Sequence, residues 1–156
     1  MKQLQNIDEY FFRLINSSGW NQMDELMILI SSKWFWIPLY ISILYYLYKT
    51  HQKDFLKILF SIGILIFLAD FGSVKLFKEI FQRTRPCHLL EDIRVVDGCG
   101  GPFGFISSHA ANSFAIAFLV SFLLKRFWWF VSLFSWAALV GFSRVYLGVH
   151  YPFDIL

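Results

Sequence analysis

Long apolar segments dominate the hydrophobic pattern of the chain, and short polar stretches separate them. Four of them reach or approach the roughly 20 residues that a membrane-spanning helix needs. They lie at about residues 25–49, 54–74, 107–124 and 127–147. A further apolar segment begins at Pro152 and stops at Leu156, too early to cross a bilayer. The pattern predicts an all-α integral membrane helical bundle of about five transmembrane helices, the last one truncated at Leu156.

The first 18 residues have a separate, amphipathic pattern. The charged residues Asp8, Glu9 and Arg13 lie among aromatic and aliphatic residues. No small-residue cleavage site follows an apolar core, so the segment is not a cleaved signal peptide. We interpret residues 1–18 as an interfacial helix along the membrane surface. A helix that packs against the bundle explains the same pattern equally well.

The composition indicates a single membrane-embedded domain over residues 1–156. The chain is 57% hydrophobic, 21% aromatic and 16% charged, with a mean hydropathy of +0.54. This apolar content exceeds the ordinary globular range, and the sequence has neither an internal repeat nor a Gly/Ser-rich or Pro-rich linker. The lipid bilayer is therefore an expected partner. We expect no nucleic-acid partner, and the sequence does not identify a protein partner.

The charges of the connecting segments predict an orientation in the membrane. Basic residues cluster between spans one and two and between spans three and four, at Lys49, Lys53, Lys57, Lys125 and Arg126. By the positive-inside rule these connections are cytoplasmic. The long segment 83–106 and the segment around His150 then face the other side. We therefore predict a protein of the bacterial inner membrane whose polar segments face the periplasm or the exterior.

Both cysteines of the chain, Cys87 and Cys99, lie in this outward-facing segment. An oxidising compartment and a loop-closing disulfide explain this placement. A metal site that includes His88 is the weaker alternative, because two cysteines this far apart lack the paired spacing of a zinc site. We predict a disulfide and no metal.

Lys78 and Arg85 belong to the first of three polar segments with candidate chemistry. If the second span continues as a helix, the two cations lie two turns apart on one face, about 10 Å from each other, and Pro86 ends the helix. Such a pair suits an anion. Snorkelling toward lipid headgroups is the alternative, and it is our interpretation of Lys75 and Arg83.

The second segment, Ser107, Ser108 and His109, stands at the start of the third span. A serine there is a natural helix N-cap. The exposed backbone amides and the positive end of the helix dipole also make the position an anion site. Capping alone is the alternative for the serines. His109 needs another reason, because a histidine entering the membrane region is costly.

Arg144, His150 and Asp154 form the third segment, after the fourth span. One turn of helix would bring Asp154 close to one ring nitrogen of His150 and leave the other free to attack or to accept a proton. Asp154 is alternatively only an acidic residue at a helix start. Together the segments supply three cations, helix-end amides and two histidines. This combination suits phosphoryl transfer without a metal or other cofactor.

The three segments resemble the signature of the type 2 phosphatidic acid phosphatase superfamily. Lys78 to Pro86 reads Lys-(six residues)-Arg-Pro, Ser107 to His109 reads Ser-x-His, and Ser143 to Asp154 reads Ser-Arg-(five residues)-His-(three residues)-Asp. The second motif usually reads Pro-Ser-Gly-His, so Ile106 and Ser108 depart from it. We expect these departures to change substrate preference and not to abolish activity.

The resemblance implies a role for each matching residue. His150 is the expected nucleophile, Asp154 its orienting partner, and His109 the general acid and base. The phosphoryl oxygens are expected on Lys78, Arg85, Ser107, the backbone at Ser108, and Arg144. Integral members of the family are helical bundles that hydrolyse lipid phosphates and diphosphates without a cofactor.

The sequence therefore predicts a metal-independent membrane lipid phosphatase that works through a phosphohistidine intermediate. The expected substrate is undecaprenyl diphosphate, phosphatidylglycerol phosphate, phosphatidic acid or a lipid A phosphate. The alternatives are a non-enzymatic lipid-phosphate carrier and, less in keeping with a membrane chain, a vanadate-dependent haloperoxidase. Asp70 is unexplained, and we expect Arg144 or a lysine as its partner. We assign His51 and His88 to loops without function.

Overall fold

The structure, a computed structural model, describes residues 2–155. Its α-helices are α1 (Lys2–Ser17), α2 (Asn21–Ser31), α3 (Ile37–Thr50), α4 (Phe55–Gly72), α5 (Glu79–Phe81), α6 (Pro86–Leu89), α7 (Ser108–Leu124) and α8 (Phe127–Tyr146). Short 3-10 helices lie at Lys33–Trp36, Gln52–Asp54 and Pro152–Asp154, and a π-helical segment at Ser73–Lys78. The predicted all-α bundle is confirmed.

Four apolar helical segments correspond to the four predicted spans. Gln52–Phe81, with 30 residues, and Phe127–Tyr146, with 20, are each long and apolar enough to cross a membrane. Asn21–Ser31 and Lys33–Thr50 pass the same test only as a pair, and they are bent by 66°. The helix α7 is a shorter apolar helix. Residues 152–154 form only a 3-10 turn, so the described residues hold no fifth span.

The helices α7 and α8 form the centre of the bundle. Lys125 takes a left-handed conformation with φ 49°, which ends α7, and the chain reverses within two residues. Ala117 and Ala137 are completely buried, and such small residues let two helices approach closely. The helix α4 packs on the other side of α7. The antiparallel arrangement brings the start of α7 and the end of α8 to the same end of the bundle.

The helix α1 packs against α8 and the 3-10 turn that follows it. Its inner face buries Phe12, Asp8 and Asn16, and the Asn16 side chain donates to the Tyr146 carbonyl at 2.9 Å. Its outer face exposes apolar side chains, among them Tyr10. The inner face fits the packing interpretation. The exposed apolar face is what an interfacial helix would present to lipid, and that interpretation stays a prediction.

The segment around Arg85 differs from the prediction. The helix that continues α4 ends at Phe81, and Gln82 is left-handed with φ 46°. Arg85 has extended backbone, and Pro86 begins α6 instead of ending a helix. Proline suits a first helical position because its missing N–H would be unpaired there anyway. Lys78 and Arg85 therefore do not share one helix face, and the predicted two-turn spacing is wrong.

Candidate active site

His150 and Asp154 form a buried pair between the end of α8 and the last 3-10 turn. His150 Nδ1 lies 3.4 Å from Asp154 Oδ2, and each residue is only 1% exposed. The Tyr151 backbone N–H donates to the same carboxylate oxygen at 3.0 Å. Gly148, with φ 85°, supplies the turn that carries the chain from α8 toward His150. The expected contact is therefore present, although a turn and a 3-10 helix form it in place of an α-helical turn.

Arg85 lies against the other ring nitrogen of His150. Its Nη1 is 3.1 Å from His150 Nε2 and 3.3 Å from the Val149 carbonyl oxygen. A guanidinium can only donate, so Nε2 accepts and carries the lone pair. The ring proton then lies on Nδ1, toward Asp154. This tautomer leaves the Nε2 lone pair available to act as a nucleophile.

The surroundings of His150 favour its neutral form. Burial is the main cause that lowers its pKa, from 6.5 to about 4. The positive charges of Arg85 and Arg144 lower the pKa further, while the hydrogen bond to Asp154 raises it. The imidazole is therefore unprotonated at neutral pH, as a nucleophile must be.

Two buried polar atoms near this pair have no hydrogen-bond partner within residues 2–155. They are Ser107 Oγ and Arg144 Nε. Ser107 occupies the N-cap position of α7, but its hydroxyl makes no capping bond, while its backbone N–H donates to the Asp154 carbonyl at 2.8 Å. Arg144 donates through Nη1 to Ser31 Oγ and lies 3.8 Å from Asp97. Since unpaired buried polar atoms are costly, these two donors suit an anion.

Lys78 reaches the site from the end of the π-helical segment. Its Nζ donates to Ser108 Oγ at 2.9 Å, and Ser108 Oγ also lies 2.6 Å from Ser73 Oγ. Ser108 stands where the family signature usually has glycine. Its hydroxyl therefore holds the lysine at the start of α7.

His109 lines a cavity of about 410 Å³ beside this end of α7. The cavity is mostly apolar and extends between α3, α4, α7 and α8, with Ile43, Ile62 and Val120 in its wall. Asp70 also lines it, and its carboxylate accepts a hydrogen bond from Asn112 Nδ2 at 3.4 Å. The expectation of Arg144 or a lysine as the hydrogen-bonding partner of Asp70 is therefore wrong.

Arg83 connects the site to α1. Its Nη1 donates to Asp154 Oδ1 at 2.7 Å, and its Nη2 donates to Asp8, whose side chain is completely buried. Asp8 also accepts from the Phe153 backbone N–H at 2.9 Å. The snorkelling interpretation of Arg83 is therefore wrong. No local signal in the sequence could indicate the contact between Asp8 and Arg83, because 75 positions separate them.

Gly104 is another residue that the sequence analysis missed. A Cβ at this position would lie 2.8 Å from Asp154 Oδ2 and 3.5 Å from His150 Nδ1. The Gly104 backbone N–H donates to the Arg83 carbonyl at 2.8 Å, which holds the loop against the pair. Only the absence of a side chain lets the backbone approach this closely.

A disulfide joins Cys87 to Cys99, with their Cα atoms 6.0 Å apart. It begins two residues after Arg85 and ends one residue before Gly100, where a Cβ would lie 3.9 Å from Arg85 Nη2. Sulfur atoms in a disulfide cannot act as thiolate ligands, so this structure does not form the metal site weighed as the alternative. His88 instead lies 3.2 Å from the Gly100 carbonyl oxygen through its Nε2.

Comparison with known proteins gives consistent similarities. Residues 54–156 match the model of the PAP2 superfamily. The chain is 32% identical to a lipid A 4'-phosphatase of Porphyromonas gingivalis over all of this chain and 68% of that protein. It is 36% identical to a lipid A 4'-phosphatase of Bacteroides thetaiotaomicron over 94% of this chain and 66% of that protein. The chain thus spans about two thirds of the length of these relatives.

A solved structure is similar as well. It is the transmembrane PAP2-type phosphatidylglycerolphosphate phosphatase of Bacillus subtilis, which matches with a TM-score of 0.72 and 26% identity. The match covers 99% of this chain and 78% of that one. The similarity therefore extends over the whole bundle.

Proposed function

The chain belongs to the membrane lipid phosphatases of the PAP2 superfamily, and we propose that it removes a phosphate group from a lipid through a phosphohistidine intermediate. The single observation that carries this mechanism is the geometry of His150. Its Nδ1 faces Asp154 and its Nε2 faces Arg85, 3.1 Å away, so the ring is oriented with its lone pair toward a cation. A phosphoryl group bound to Arg85 would lie in front of that lone pair.

The first step transfers the phosphoryl group to the enzyme. His150 Nε2 forms a bond to phosphorus while the bond from phosphorus to the ester oxygen breaks. His109 gives a proton to the departing lipid oxygen. The ring of His150 gains positive charge as it is phosphorylated, and the Asp154 carboxylate offsets that charge.

The second step regenerates the enzyme. Water attacks phosphorus and gives a proton to His109, which accepts it as a general base. The bond between phosphorus and Nε2 then breaks, inorganic phosphate leaves, and His150 returns to its neutral form. Both steps are balanced by the two histidines alone, so we propose that the reaction needs no metal or other cofactor.

The phosphoryl oxygens would be held by groups from three parts of the fold. Arg85 comes from the loop after α5, Lys78 from the π-helical segment, and Arg144 from the end of α8. Ser107 Oγ and the Ser108 backbone N–H lie at the start of α7. The unpartnered atoms Ser107 Oγ and Arg144 Nε support this assignment, because a bound phosphate would supply the acceptors that they lack.

We further propose that the active site faces the periplasm of a bacterial inner membrane. The basic connections of the chain support this orientation by the positive-inside rule. Among the candidate substrates, a lipid A phosphate is favoured by the names of the two relatives of 32% and 36% identity. Undecaprenyl diphosphate, phosphatidylglycerol phosphate and phosphatidic acid are the other candidates to test.

The test is inorganic phosphate release from these four lipids in detergent with EDTA present. We expect release from at least one lipid by the wild type and none by His150→Ala. His51→Ala is the matched control, because His51 lies between α3 and α4 and outside the site; it should keep full activity. Release that EDTA abolishes would contradict the metal-free mechanism. Silence on all four lipids would favour a non-enzymatic carrier.

A further inference from the structure

Asp70 and Asn112 form a polar pair that the mechanism does not use. Asp70 lies near the end of α4, and Asn112 lies on α7, one turn beyond Ser108 and three residues beyond His109. The Asn112 amide nitrogen donates to Asp70 at 3.4 Å. A carboxylate within a membrane span is costly and usually marks function.

The pair leaves hydrogen-bond acceptors without donors. Asn112 Oδ1 is buried and has no hydrogen-bond partner within residues 2–155. Asp70 accepts from Asn112 through one of its two oxygens, and a carboxylate can accept several bonds. Both side chains line the same cavity of about 410 Å³ as His109. The polar end of this cavity therefore presents hydrogen-bond acceptors that a ligand with hydrogen-bond donors could pair.

The position of His109 identifies which part of a substrate enters the cavity. Under the proposed mechanism, His109 protonates the departing oxygen, so the leaving lipid alcohol lies on the His109 side of the phosphate. The cavity beyond His109 is mostly apolar, which suits acyl chains. Because Asp70 and Asn112 line the same cavity as His109, they would lie near the carbon that carries the phosphate.

We propose that Asp70 and Asn112 form a leaving-group subsite that selects lipids whose headgroup carries hydrogen-bond donors beside the phosphorylated carbon. Sugar hydroxyl and amide N–H groups are donors of this kind, so the subsite fits a phosphorylated amino-sugar lipid. A prenyl alcohol has no such donor and would leave Asn112 Oδ1 unpaired. A site built to bind a donor discriminates strongly against an analogue that lacks it. This inference rests on the proposed function.

The experiment compares kcat/KM for two substrates in the full chain in detergent. One substrate is a phosphorylated glucosamine lipid with free hydroxyl and amide groups, and the other is farnesyl phosphate. Asn112→Leu and Asp70→Asn should each lower the ratio of the two values, glycolipid over prenyl, by about tenfold. Asn112→Leu removes both an unpaired buried atom and the hydrogen bond to Asp70, so the melting temperature is measured beside the ratio to confirm that the variant folds.

Ser121→Ala is the matched control. Ser121 lies on the same helix, and its Oγ is also buried without a hydrogen-bond partner within residues 2–155, but it does not line the cavity. Its substrate ratio should equal that of the wild type. An unchanged ratio in both subsite variants would overturn the inference, as would an equal loss on both substrates, which indicates a structural role. A wild type that releases phosphate from phosphatidic acid or phosphatidylglycerol phosphate but not from the glucosamine lipid would overturn the inference and leave the proposed function standing. Silence on every lipid tested would refute the proposed function itself.

Discussion

Gly104→Ala tests whether the close approach of the loop backbone sets the geometry of the His150–Asp154 pair, which we propose to be catalytic. The added Cβ would lie 2.8 Å from Asp154 Oδ2, closer than non-bonded contacts allow, and 3.3 Å from Arg85 Cγ. Normal contact needs a separation of about 3.5 Å or more. Either the carboxylate or the loop must therefore move by roughly 0.7 Å, as estimated from that contact distance. Arg83 and the Tyr151 N–H hold the carboxylate, so the move strains both of these bonds.

The magnitude follows from two separate effects. Forcing an extra methyl into a packed site costs about 1–3 kcal/mol of stability. A displacement of about 1 Å of a catalytic group costs about 100-fold in rate. We expect kcat for phosphate release to fall by about 10-fold to 100-fold with a small change in KM, because in the proposed mechanism the carboxylate orients His150 and does not hold substrate.

The control for this variant is Gly101→Ala, three residues earlier in the same loop. A Cβ there would meet no atom within 4 Å. Its activity and melting temperature should match those of the wild type. Wild-type kcat in Gly104→Ala would refute the reasoning, because it would mean that the pair tolerates the added methyl. A large loss in Gly101→Ala would show that the loop is sensitive to any substitution.

Three other predictions follow from the structure. Arg83→Gln removes the cation that pairs with the buried carboxylates of Asp8 and Asp154, so the free energy of unfolding should fall by about 3–5 kcal/mol. Thermal unfolding measures this loss, and adding Asp8→Asn should recover part of it. Removing the disulfide with Cys87→Ser should cost about 3 kcal/mol for a loop of this length. The reductant-treated wild type should melt at the same lower temperature as the variant, and a variant that melts at the temperature of the untreated wild type would contradict the prediction. Burial lowers the pKa of His150 to about 4, so the imidazole stays neutral as the pH falls through 6.5 and gains a proton only near 4. NMR of histidine-labelled protein, with the His150 signal assigned from His150→Ala, should show a titration midpoint near 4. A midpoint near 6.5 would refute this prediction.

Local patterns in the sequence predicted much of the fold. The apolar pattern located the four apolar helical segments, because burial in lipid demands length and hydrophobicity that any sequence must display. The contact between His150 and Asp154 was predictable for a similar reason, since a four-residue spacing can bring two side chains together in several tight conformations. The sequence could not show that a 3-10 turn and not an α-helix makes this contact.

Contacts between distant parts of the chain were not predictable. Asp8 and Arg83 both looked like surface charges, because nothing near either residue shows that the other will neutralise it. Gly104 looked like an ordinary loop glycine, since its importance depends on what lies against it in the folded chain. The end of the helix before Arg85 was missed because Gln82 adopts a left-handed conformation that sequence propensity disfavours.

The arrangement of charges around His150 gives a further reason to expect a phosphate dianion. Asp154 and Asp8 share the single guanidinium of Arg83, so these three groups together carry one net negative charge. Lys78 donates to a hydroxyl, and Arg85 donates to two carbonyl oxygens and the imidazole. Neither cation therefore forms a direct ion pair within residues 2–155. Concentrated positive charge in a partly desolvated site is costly until an anion enters. A dianion whose negative charge grows in the transition state would relieve that cost most where the reaction is most difficult.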